Sequence, residues 1–360
     1  MKVRYVMAWG GVVALVGAAV LGLSGCSNLG YYWHSATGHL GIMAAARPVD
    51  DWIGDPAAPE RLKSRLELAR RIRNYAVSEL KLPDNPSYRR FADLHRPAAI
   101  WNVVAAPRYS LTLKNWCFPV TGCVTYRGYY DLGKARAEAA TYASDGYDTS
   151  VYPVPAYSTL GFMNWAGGDP LLNTFIYYPE GELARLIFHE LAHQVVYAKN
   201  DTTFNESFAT AVERLGGERW LATQASQQAR DEYAAYDGRR RQFRALALAT
   251  RKRLQDVYAN APESDRERLK QATLAEFRRQ YEQLRASWGG DPARYRGYDQ
   301  WVAQANNASF GAQAVYDELV PGFEGLYRRE GGDWVRFYDE VKRLAKLPKE
   351  ERHRLLKALE

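Results

Sequence analysis

Two histidines four residues apart, His189 and His193, sit inside an apolar stretch running from Leu183 to Tyr197. On an α-helix, residues i and i+4 share a face, so both imidazoles point to one place. No other feature constrains the fold as much. The helix must be buried, and a second element must face the pair. Neutral imidazoles are good donors to zinc, which takes four ligands and, in a reactive site, keeps one position for water. A third protein donor is therefore expected, and Glu206 stands thirteen residues after His193. The pattern predicts a first helix running to about Lys199, a turn over Asn200–Thr203, and a second helix opening at Phe204. If the second helix returns antiparallel, Glu206 faces the two histidines. Glu190 lies one residue round the helix from His189, where it can take a proton from water. Glu213, two turns beyond Glu206, is placed to accept the free N–H of a ligand histidine. Each residue also has a plainer role: hydrogen-bonded core histidines, a Thr203–Glu206 capping box, or a surface ion pair at Glu213.

The first residues read as a leader. Met1–Arg4 is short and basic, and Val6 to Leu23 is apolar and rich in small residues. Leu23-Ser24-Gly25-Cys26 then resembles a bacterial lipobox, which marks Cys26 for lipidation and residues 1–25 for removal. Ser27 stands where an Asp would signal retention at the inner membrane. The expected address is thus the cell envelope, lipid-anchored at the outer membrane and facing the periplasm. The alternative is a retained N-terminal membrane helix, for which the run is just long enough. Two further cysteines, Cys117 and Cys123, are separated by five residues. In an oxidising compartment they can close a small disulfide loop, and otherwise they are buried thiols.

Along the mature chain, residues 27–48 read as a tether without a clear period. Leu62, Leu66, Ala69, Ile72 and Ala76 recur at helical spacing, predicting a helix over Glu60–Leu80. Short β-like runs follow at Ile100–Val104, Ser110–Leu113, Val124–Tyr130 and Thr149–Val154, with a helix at Lys134–Ala143 between them. From residue 182 onward the pattern is helical, including Arg219–Asn260 and Ser264–Trp288, which suit an antiparallel pair. Ser264 and Glu267 fit a capping box at the start of the second. Trp334–Leu344 and Pro348–Leu359 close the chain as helices. The expected fold is α+β and predominantly helical: an α+β part over 49–181 and a helical part over 182–360, forming one body. The formal charge of +7 falls to +5 once Lys2 and Arg4 leave with the leader. The surplus sits on Arg-rich helices, as a solvated face, so no nucleic-acid partner is inferred.

His189-Glu190-x-x-His193 with Asn205-Glu206-Ser-Phe-Ala and Glu213 resembles the gluzincin metallopeptidases, most closely aminopeptidase N and leukotriene hydrolase. Thr210 stands where the thermolysin branch has an Asp. Gly161-Phe162-Met163-Asn164 is similar to the substrate-lining strand of the aminopeptidase N relatives, without their amine-binding Glu. Asp169 is the available substitute, or else the turn residue of Asp169-Pro170. With the lipobox, the Cys117–Tyr130 stretch and Asn306-Asn307-Ala308, the chain is similar to a bacterial family named as zinc aminopeptidases. The resemblance implies one zinc per chain on His189, His193 and Glu206, Glu190 as general base, and Glu213 and Asn205 supporting the ligands. It also implies a peptide substrate and an oxyanion-stabilising tyrosine, for which Tyr316 and Tyr298 are candidates. The missing Glu leaves an endopeptidase open, and a lipoprotein scaffold with a vestigial metal site stays open as well.

Overall fold

The computed structural model describes residues 30–118, 122–156, 158–161, 163–314 and 318–360. The leader with Cys26, together with Phe162 and Tyr316, lies outside them. The architecture is α+β and predominantly helical, as expected. Residues 30–45 form a first helix, α1, followed by β1 (Arg47–Pro48), α2 (Val49–Gly54) and α3 (Glu60–Ser78). The strand-bearing part contains β2 (Arg90–Ala92), β3 (Ile100–Pro107), β4 (Trp116–Phe118), β5 (Gly122–Val124) and β6 (Arg127–Tyr129). It continues through α4 (Leu132–Ser144), β7 (Tyr147–Val154) and β8 (Leu171–Leu172). Then come α5 (Glu180–Ala192), α6 (Thr202–Thr223), α7 (Gln227–Asn260), α8 (Glu263–Trp288), α9 (Arg296–Ala303) and α10 (Asn307–Ala314). The last three helices are α11 (Val320–Arg329), α12 (Trp334–Ala345) and α13 (Lys349–Lys357).

The main sheet is antiparallel in the order β6-β3-β7, with β3 and β7 in continuous register from Ile100↔Val154 to Pro107↔Tyr147. A second small sheet pairs β1 with β2, and β2 with β8 in parallel. β4 and β5 form a hairpin in which Cys117 faces Cys123, and a disulfide joins them.

The largest core cluster wraps α5 and α6 from several sides. Ile72 of α3, Ile187 and Phe188 of α5, Phe204 and Phe208 of α6, Phe323 of α11 and Phe337 of α12 are all fully buried in it. Burial of this much aromatic and aliphatic surface is the main force holding the helix pair in place. α7 and α8 form the expected antiparallel pair: Arg253 reaches Gln280 at 3.0 Å and Trp288 reaches Gln242 at 2.7 Å. They share a separate core with α9 and α10, built on Phe243, Leu254, Phe277 and Phe310. A buried knot ties this unit to the sheet. Lys270 donates to Asp148 at 2.7 Å, and the Asn307 amide nitrogen donates to the same carboxylate at 3.0 Å. The Asn306 side chain donates to Thr149 O at 2.8 Å, so the Asn-Asn-Ala run clips α10 to the end of β7.

Several expectations need correction. The tether is a helix over 30–45, with Ile42 in the main core and Tyr31 beneath Arg127 at 4.1 Å. Ser110–Leu113 is irregular. The pattern over Arg219–Asn260 is two helices, because Ser226 caps a fresh start by accepting from Ala229 N. α8 begins at Glu263 after Pro262, so Ser264 lies in the first turn and caps nothing.

Candidate metal centre

α5 carries the two histidines on the face that also bears Glu182 and Arg185, while Leu183, Ile187, Phe188 and Leu191 bury its other side. It ends at Ala192, with His193 as its C-cap, short of the expected end near Lys199. Beyond the helix, the chain is held by side-chain hydrogen bonds to distant segments. Gln194 accepts from Asn85 Nδ2 at 2.7 Å and donates to Ser87 Oγ at 3.1 Å. Asn205, on the returning helix, clasps Ala198 from both sides: it accepts from Ala198 N at 2.8 Å and donates to Ala198 O at 2.9 Å. α6 is capped by Asp201, which accepts from Phe204 N at 3.2 Å. Asp201 is fully buried and also accepts from His353 Nε2 at 2.9 Å, so the C-terminal helix α13 steadies the connection. With Asp201 as the cap, Thr203 and Glu206 form no capping box, and Glu206 is left to face α5.

Glu206 Oε2 lies 3.5 Å from His189 Nε2 and 3.7 Å from His193 Nε2, and the two Nε2 atoms are 3.2 Å apart. A tetrahedral ion with donors at about 2.0–2.1 Å would separate them by about 3.3–3.4 Å. Among the described residues this is the one group of three or more His, Cys, Asp or Glu whose donor atoms converge in this way. The donor chemistry also fits. Burial holds the His193 imidazole down at about 4, so it is neutral near pH 7. Burial works in the same sense on His189, but Glu206 and Glu213 outweigh it and raise that imidazole well above its ordinary value.

Glu213 sits behind His189, accepting at 2.9 Å from Nδ1 and pairing with Arg185 of α5. Burial alone would raise its carboxyl, but Arg185 and His189 override it and hold the group at about 2. Glu213, expected behind one of the two histidines, is hydrogen-bonded to His189. Asn205, expected in the same role, acts on the Ala198 backbone.

Two cavities meet at His189 and Glu190. One, of about 560 Å³, is walled by aromatic and apolar side chains, including Tyr31, Phe118, Tyr126, Tyr130, Tyr197 and Leu160, with His189, Glu190, His193 and Glu206 at its base. The other, of about 390 Å³, lies between α5, α6 and α7 and is rich in arginine: Arg185, Arg214, Arg240 and Arg244. Burial pushes the Glu190 carboxyl up to about 7.

The remaining expected residues lie elsewhere. Gly161, Met163 and Asn164 belong to a turn followed by a single 3-10 turn, not to a strand. The turn is set by left-handed glycines. Gly168, at φ +66°, would place a Cβ 2.5 Å from Ser87 N. Ser158 and Leu160, just before that turn, line the cavity in its place. Asn164 accepts from Ser87 Oγ at 2.9 Å. Asp169 is buried and accepts from Thr159 N at 3.0 Å, which makes it a loop anchor rather than an amine site. Tyr298 packs on Phe243 and Trp288 and lines neither cavity. The sequence reading missed Tyr126 and Tyr197. The phenol of Tyr126 is raised well above its ordinary value, first by burial and next by Glu206, and Tyr197 is raised in the same way. Nothing local marks either among 25 tyrosines.

The family described as "Putative aminopeptidase" matches residues 30–356. The chain belongs to this family. No curated protein and no solved structure matches it. The family's description points to a peptidase, and the matched span takes in α1, both cavities and the His-His-Glu group.

Proposed function

We propose that this chain is a zinc-dependent peptidase of gluzincin type, an aminopeptidase first, anchored in the bacterial envelope through Cys26. The observation that carries the reading is the convergence of His189, His193 and Glu206 on one point, with Glu190 beside them at the base of a peptide-sized cavity. His189 and His193 present Nε2 and Glu206 presents a carboxylate oxygen. Glu213 fixes the ring of His189 through Nδ1. Zinc held there supplies Lewis acidity, lowering the pKa of water and polarising a carbonyl. Glu190, with its carboxyl near 7, takes a proton from the attacking water and returns it to the leaving amine. The hydroxyls of Tyr126 and Tyr197, on the cavity wall and within the electrostatic reach of Glu206, are the donors assigned to developing negative charge. The aromatic lining excludes water and accepts apolar side chains.

One observation favours a second reading, an endopeptidase. Among the described residues lining this cavity, the carboxylates are Glu190 and Glu206, so none is left over to grip a free amine.

Purified protein is expected to hold about one zinc per chain. Glu190→Gln is expected to keep that zinc and to lose hydrolysis of aminoacyl or peptide substrates by about 10²–10⁴-fold. Wild-type protein without zinc under metal-replete conditions would sink the proposal. Cleavage of free but not N-blocked peptides identifies an aminopeptidase, and cleavage of both an endopeptidase.

A further inference from the structure

We infer that α1 is an interfacial helix: one face rests on the phospholipid bilayer surface while the other walls the candidate active site. From Gly30 to Ala46 the chain contains no Asp, Glu, Lys or Arg. Positions 31, 34, 35, 38, 39, 42 and 43 are buried or half-buried, and positions 32, 33, 36, 37, 40, 41, 44 and 45 are exposed. Trp33 and Leu40, two turns apart on the outward face, are 73% and 62% exposed. Among the described residues, three of the seven exposed large apolar side chains belong to this one helix: Tyr32, Trp33 and Leu40. Within a soluble body, an uncharged outward face carrying Trp and Leu is unfavourable in water. It suits the headgroup boundary, where an indole and an aliphatic chain bury together.

The preceding chain says what covers this face. The apolar run ends at Leu23 and Cys26 follows, so on either reading of the leader the chain meets a bilayer there. The residues from Cys26 to the start of α1 span at most about 3.3–3.6 Å each, which keeps the first turn of α1 close to the membrane surface. Lys134 of α4, 3.3 Å from His34 of α1, adds a cation beside that turn for anionic headgroups, while Asp131 caps α4 by accepting from Lys134 N. Tyr31, Tyr32 and Ser35 of the same helix line the larger cavity. Its rim at Tyr32 therefore opens beside the lipid.

The inference rests on the leader reaching a bilayer and not on peptidase activity. It is tested with the full chain, leader and Cys26 included, in a Trp9→Phe background that removes the leader's own tryptophan and serves as wild type, reconstituted in phosphatidylethanolamine–phosphatidylglycerol vesicles with and without lipid brominated near the headgroup. Wild-type tryptophan emission is expected to be quenched by shallow bromine. Trp33→Phe should lose most of that quenchable emission, and Leu40→Glu should reduce it, both with unchanged melting. Equal quenching in wild type and Trp33→Phe overturns the inference. So does a dimer that depends on Trp33, which would show a second copy on this face. Recovery of the wild-type chain from the soluble fraction overturns the reading of the leader on which it rests.

Discussion

Glu213 carries two loads at once: it orients His189 through Nδ1 and neutralises the buried Arg185. Removing it leaves the three candidate donors in place but frees one ring, while Arg185 keeps Glu182 at 3.6 Å and Asp237 at 3.7 Å. Glu213→Ala is therefore expected to weaken zinc by about 10–100-fold. Glu206→Ala removes a donor outright and should weaken zinc far more. Chelator competition reads both, and equal losses would take Glu206 out of the donor set. These residues were legible in the sequence because helical spacing is local: i and i+4 on α5, and two turns from Glu206 to Glu213 on α6. Tyr126 was not legible. It reaches the site from between β5 and β6, where Cys123 N donates to Asn200 Oδ1 at 2.8 Å, and lines the same cavity as Glu206, some eighty residues further along the chain.

At the scale of elements, the miss at α1 has a physical cause. Its inward positions are Tyr31, His34, Ser35, Gly38, His39 and Ile42, a helical period written in polar and small residues that hydropathy does not detect. The early end of α5 was hidden for the opposite reason, since Val195 and Val196 extend the apolar pattern while Gln194 and Asn205 bind the chain elsewhere. Helix packing makes a sharper prediction at two glycines. Gly216 of α6 lies against α5, where an added Cβ would sit 2.6 Å from Leu80 Cδ1 and 3.1 Å from Phe188 Cδ2. Gly238 of α7 has nothing within 4 Å of that position. Alanine gains up to about 1 kcal/mol of helix propensity at either site. At Gly216 the overpacking cost, about 1–3 kcal/mol, wins. Gly216→Ala should thus lower stability in urea melts and Gly238→Ala should raise it by about 0.5–1 kcal/mol. A gain at both positions would mean that α6 is not pressed against its neighbours.

Across the whole molecule, the site depends on contacts between segments far apart in the chain. Gln194 bonds to Asn85 and Ser87, Asp201 to His353, and Asp169 to the loops on either side of the cavity wall. No local pattern shows such pairings, which is why the class of fold and the donor set were readable while the loops shaping the cavity were not. Asp169 makes this interdependence measurable. Its carbonyl oxygen accepts from Tyr88 N at 2.6 Å, its backbone nitrogen donates to Ser87 Oγ at 3.1 Å, and its carboxylate holds Thr159. Burial pushes that carboxyl from its ordinary 3.8 up to about 6. The folded chain therefore holds this proton more tightly than the unfolded chain does. The resulting stability is complete below about pH 4 and is lost as the pH rises to about 6. A shift of about two units corresponds to about 3 kcal/mol. Asp169→Asn keeps an acceptor for Thr159 N and has no proton to lose. Denaturant melts of the two proteins from pH 4 to pH 7 should therefore diverge, with wild type losing about 3 kcal/mol relative to Asp169→Asn by pH 6–7. Parallel stability curves across that window would show that Asp169 is ionised in the fold at no cost, and that the loop it anchors is wetter than its burial indicates.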